Sequence, residues 1–68
     1  MSTGSDLAEL SSVRSQLQEL SQRVAAIATR YHATPDSAVA VDLFEAERAL
    51  NSAGRVLDRA LTALAELS

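Results

Sequence analysis

A chain of 68 residues holds one domain at most, and one so short buries a smaller share of its surface than a typical domain, so it usually needs a staple or a partner. Cysteine is absent, which removes disulfides, thiolate metal sites and thiol nucleophiles together and leaves oligomerisation as the staple. Apolar residues make up 47% of the chain but aromatics only 3%, and the net charge is −3; this is the composition of packed helices, poor in the aromatic walls of a ligand cleft and in the basic footprint of a nucleic-acid binder.

The first five residues, MSTGS, are small and polar and read as a loose tail. Asp6, followed three residues later by Glu9, is a workable helix start, with a carboxylate at the N-cap and a second in the first turn. From there Leu10, Val13, Leu17, Leu20, Val24, Ile27 and Tyr31 alternate spacings of three and four, the stripe of a coiled coil. Helix 1 is therefore expected over about residues 6–31, roughly 39 Å long at 1.5 Å per residue.

The segment HATPDS contains the chain's one proline. Pro35 suits a first helical position and disfavours the α conformation at Thr34, so Thr34 reads as N-cap, with a turn at 32–34. So short a connection makes the two helices antiparallel neighbours.

Helix 2 is expected over about residues 35–67, roughly 50 Å by the same rise. Leu43, Leu50, Leu57 and Leu64 recur every seventh residue, and Ala46, Ala53, Ala60 and Leu67 follow each by three. Ala49, Gly54, Val56, Leu61 and Ala63 lie beside that seam, which makes the apolar face wider than one neighbour can cover. Gly54 costs about 1 kcal/mol relative to Ala inside a helix, a cost that close approach at a helix crossing would offset. With Leu10 and Leu43 in equivalent positions, Arg23, Arg30 and Asp42 flank the seam, and Arg30 is expected nearest Asp42.

Little in the chain carries chemistry. His32 is the one histidine, with Tyr31 before it and Asp36 after; a metal or nucleophile reading needs a second ligand or base, the chain has no Cys and no other His, and His32 reads as a loop or cap residue. Glu9, Glu19, Glu45, Glu47 and Glu66 do not form the Glu-x-x-His signature of a di-iron bundle. No phosphate loop, zinc-protease motif or nucleophile elbow is present. The expectation is no catalytic residue, no cofactor and no metal.

Ser11, Arg14 and Gln18 follow the spacing Ser-x2-Arg-x3-Gln, and Ser52 with Arg55 repeats its first half. The spacing distantly resembles the nucleotide-holding helical repeats of cyclic-di-GMP-responsive anti-sigma factors. It departs from that family at Leu7, Gln22, Arg48, Ala63 and Arg59, and no membership is assigned. A resemblance to secreted two-helix hairpins of the Trp-x-Gly class is set aside, because the chain has no Trp and turns at Pro35 rather than at Gly54.

The resulting expectation is an all-α antiparallel two-helix hairpin, coiled-coil-like, assembling into a dimeric four-helix bundle. It would act as a small non-enzymatic interaction module, a scaffold, adaptor or regulatory subunit. Its interface would be Leu43, Phe44, Leu50, Ala53, Gly54, Val56, Leu57, Ala60, Leu61, Ala63 and Leu64. Its partners would be a second copy or another helical protein, with no nucleic acid and no membrane; no apolar run nears the roughly 20 residues of a span, and the N-terminus has no signal-peptide pattern. A cytoplasmic location is expected, and Arg without Lys beside abundant Ala fits the coding of a GC-rich, actinobacterial-like source. Rival readings are a transcriptional regulator, such as an anti-sigma or antitoxin-like factor or nucleotide sensor, and an accessory subunit of an enzyme complex.

Overall fold

A computed structural model describes residues 2–67. They form two α-helices, α1 (Thr3–Tyr31) and α2 (Ser37–Leu67), packed against each other as a hairpin. The hairpin is a rod 52 Å long and 14 by 13 Å across. Its radius of gyration, 15.6 Å, exceeds the roughly 11 Å of a compact chain of this length.

Helix α1 starts earlier than the Asp6 cap predicts, and Thr3, Gly4 and Ser5 are helical rather than part of a tail. Ser2 is the N-cap; its hydroxyl accepts from the Ser5 amide at 3.3 Å and its carbonyl from the Asp6 amide at 3.1 Å. Serine is as good a cap as aspartate, and with Ser2 in that role Asp6 falls in the first turn, where its charge favours the helix N-terminus. Met1 and Ser68 lie outside the described residues.

The turn consists of two consecutive reverse turns. His32, the C-cap of α1, is extended at φ −62° and ψ 135°, Ala33 is left-handed at φ 63°, and the Thr34 amide donates to the Tyr31 carbonyl at 3.2 Å. This is a type II turn with alanine where glycine is favoured. The Thr34 hydroxyl then donates to the Tyr31 carbonyl at 2.6 Å and accepts from the Asp36 amide at 3.1 Å. The bonds that follow, Ser37 to Thr34 and Val39 to Asp36, span three residues. Such tightened bonds delay the α ladder, so α2 begins at Ser37 rather than at Pro35.

The helices meet along one line of alternating spacing on each. Among the less exposed residues, a line on α1 runs through Leu7, Leu10, Arg14, Leu17, Ser21, Val24 and Ala28, and one on α2 through Ala40, Leu43, Glu47, Leu50, Gly54, Leu57, Leu61 and Leu64; Thr3, Asp6, Ala25 and Phe44 are also partly buried beside them. Both sets follow the three-and-four rhythm of a coiled-coil seam. Leu10, Leu17 and Val24 on α1 and Leu43, Leu50, Leu57 and Leu64 on α2 match the sequence expectation, while Tyr31 and Leu67, expected at the ends of the two stripes, stand exposed. The layers between are corrected: on α1, Arg14, Ser21 and Ala28 stand in the contact where Val13, Leu20 and Ile27 were expected, and on α2, Glu47, Gly54 and Leu61 replace Ala46, Ala53 and Ala60. The core is thin. Ala28 and Ala40 are its buried apolar residues, and among the described residues no large side chain is fully buried.

Candidate functional site

The seam divides the rod into two flanks of different chemistry. One carries the polar side chains that cross between helices. Arg14 donates from Nε to Asp58 Oδ1 at 2.9 Å and from Nη2 to Oδ2 at 3.4 Å, the forked geometry that suits a guanidinium and a carboxylate. Its guanidinium lies flat on Gly54, where an added Cβ would stand 2.8 Å from Arg14 Cζ. Gly54 is therefore a slot for Arg14 inside the hairpin, so the close approach expected at this glycine is made by a side chain of α1. Two turns along, the buried Ser21 hydroxyl donates to Asn51 Oδ1 at 2.8 Å. Arg14–Asp58 is the one salt bridge among the described residues, and the expected Arg30–Asp42 pair does not form within the chain.

The opposite flank is apolar. Val13, Leu20 and Ile27 each stand one residue before a seam residue of α1, and they are 40%, 46% and 39% exposed. Val39, Ala46, Ala53 and Ala60 stand one residue before Ala40, Glu47, Gly54 and Leu61 of α2 and are exposed as well. In an antiparallel pair these two sets flank the seam on the same side. The register set by Arg14–Asp58 and Ser21–Asn51 puts Val13 level with Ala60, Leu20 with Ala53 and Ile27 with Ala46. A ridge of branched side chains on α1 thus runs beside a shelf of alanines on α2. The shelf widens at Ala49, Val56 and Ala63, all exposed. At the open end of the rod the same flank holds an open groove of about 310 Å³ lined by Asp6, Glu9, Leu10, Val13 and Leu64.

The expected interface residues separate accordingly. Leu43, Leu50, Gly54, Leu57, Leu61 and Leu64 lie in the seam between α1 and α2, whereas Ala53, Val56, Ala60 and Ala63 are exposed. Phe44 is half-buried beside the turn, edge-on to His32 with ring centroids 6.4 Å apart and planes at 77°. His32 also donates its amide to the Ala28 carbonyl as the helix cap. The ridge itself went unassigned as outer surface. Its signal in the sequence is the second seven-residue repeat on α2, Val39, Ala46, Ala53, Ala60 and Leu67, which no single neighbour can cover together with the leucine repeat.

The polar residues do not converge on a ligand site. Arg14 is held by Asp58, while Arg55 folds back to donate to Ser52 Oγ at 3.0 Å, so the two halves of the Ser-Arg spacing share no partner. Among the described residues no group of three or more His, Cys, Asp or Glu is placed to hold a metal ion, and no helix is long and apolar enough to cross a membrane. Comparison of the chain with protein-family models, curated proteins and solved structures finds no match.

Proposed function

We propose that this chain is a small non-enzymatic helical interaction module, a scaffold, adaptor or regulatory subunit that works by packing its apolar flank on other helices, those of a second copy first of all, in a dimeric four-helix bundle. The observation that supports this reading is the mismatch between a thin core and a rich outer surface. The buried apolar residues are two alanines, while Val13, Leu20, Ile27 and Val56 stand 39–52% exposed. Single exposed apolar side chains are ordinary, but a continuous stripe of them along a rod marks a contact surface. Helices of this kind owe most of their stability to packing an apolar face rather than to propensity, so covering the flank would complete the fold and perform the function in one step.

The test is sedimentation equilibrium over a wide concentration range, with circular dichroism on the same samples. A helical dimer, or a weakly helical monomer that gains helix on meeting its partner, agrees with the proposal. A strongly helical monomer with a sharp, concentration-independent melt would show that the flank is dispensable, and the reading would be wrong.

A further inference from the structure

From the shape and charge of the apolar flank we infer that its occupant is a second copy of the same chain, placed by a two-fold axis along the rod so that the ridge of each copy lies on the alanine shelf of the other. The inference rests on the interaction-module reading and specifies the surface and the geometry.

The ridge and the shelf have the same period. Val13, Leu20 and Ile27 recur every seventh residue on α1, and Ala60, Ala53 and Ala46 do so at the same levels on α2. A two-fold axis along the rod keeps those levels and exchanges the helices, so each large residue meets the partner's small one along the whole contact, the interdigitation that fills a helical core evenly. A contact of this type is isologous, the commonest kind among homo-oligomers. The ridge from Val13 to Ile27 covers about four turns of α1, roughly 21 Å, long enough for three successive large-on-small layers from each copy.

The charges along the edges agree. Beside the ridge of α1 lie Glu9 toward the open end and Arg23 and Arg30 toward the turn; beside the shelf of α2, in line with Ala49, Val56 and Ala63, lies Asp42 toward the turn. In the axial arrangement, which keeps the register set by Arg14–Asp58 and Ser21–Asn51, Arg30 stands level with the other copy's Asp42, opposite signs at the turn end of the contact. Rim pairs of this kind fix orientation more than they add affinity. An end-for-end arrangement also matches signs, but it sets ridge on ridge and shelf on shelf, large on large and small on small, and leaves the helices at unequal spacing.

Because the chain has no cysteine, single cysteines are unambiguous probes. A Leu20→Cys chain is mixed with an Ala53→Cys chain and exposed to a mild oxidant, and each is also oxidised alone. The axial dimer yields the mixed 20–53 product in excess over 20–20 and 53–53. Dominant 20–20 product would establish the end-for-end dimer and overturn the axial geometry while leaving the module reading intact. In parallel, Leu20→Asp is expected to weaken dimerisation by about 100-fold, since it sets an unpaired carboxylate in a dry contact, whereas Gln18→Asp on the polar flank leaves it unchanged. Equal effects of the two would place the dimer contact elsewhere and overturn the proposal. A weakly helical monomer at all concentrations would overturn the second copy as occupant and leave the module reading standing, with a different helical protein as partner; a strongly helical monomer would overturn both.

Discussion

The two flanks of this hairpin are made by the same helices over the same length, yet one is closed by its own side chains and the other is not. On the polar flank Arg14 reaches across the seam to Asp58 and Ser21 reaches Asn51. On the apolar flank Val13, Leu20 and Ile27 have only alanines beside them across the seam, and a methyl group cannot cover a branched side chain. The difference lies in reach. Long or hydrogen-bonding side chains bridge two helices by themselves, whereas short apolar ones need a third surface, so the polar flank fixes the register within one chain and the apolar flank is free to specify what joins it.

Substitutions can break or sharpen this contrast. The most visible change within the polar flank is expected from Gly54→Leu, which fills the slot that holds the Arg14 guanidinium and must displace it. The guanidinium is the mobile end of its side chain and Leu recovers about 1 kcal/mol of helix propensity over Gly, so chemical denaturation should show a net change under about 1 kcal/mol, with the Arg14–Asp58 pair lost. Asn51→Leu removes the acceptor of the buried Ser21 hydroxyl and should cost about 1 kcal/mol. The double variant Ser21→Ala/Asn51→Leu should recover most of that, because no polar group is then stranded; failure to recover would mean that the layer acts by shape rather than by hydrogen bonding.

Ala33→Gly should act on both flanks alike. It relieves the left-handed backbone at φ 63° and is expected to raise stability by about 1 kcal/mol, visible as a higher melting temperature with the association state unchanged. The smallest effect belongs to Asp58→Asn. The pair it weakens is partly solvated, with Asp58 55% exposed, and such pairs contribute less than about 1 kcal/mol. Its signature is a loss of salt dependence in the melt rather than a large shift.

The hairpin itself was legible in the sequence, because the three-and-four spacing of Leu10, Leu17 and Val24 and the heptad of Leu43, Leu50, Leu57 and Leu64 carry the helical period, and Pro35 marks the break between them. Only alternate layers of the seam could be read in that way. Between the leucine layers the contact is made by Arg14, Ser21, Glu47 and Gly54, and a pattern that seeks apolar residues passes over them to Val13, Leu20, Ala46 and Ala53 one position earlier. The choice between two adjacent positions with the same period depends on what stands opposite, and the fit of Arg14 into the space above Gly54 is a property of two helices together. The early start of α1 has a similar origin, since Ser2 and Asp6 are both competent caps and the first one the chain reaches takes the role.

The central claim is that the fold of one chain is energetically coupled to the covering of its apolar flank. The most direct test is the melting temperature of the unaltered chain, followed by circular dichroism, as a function of protein concentration. A fold completed by a second copy must melt higher at higher concentration, because association draws the equilibrium toward the folded state, and Leu20→Asp should abolish that rise. A melting temperature that is high, sharp and constant across the concentration range would contradict the claim and show that the hairpin stands alone with its ridge in water.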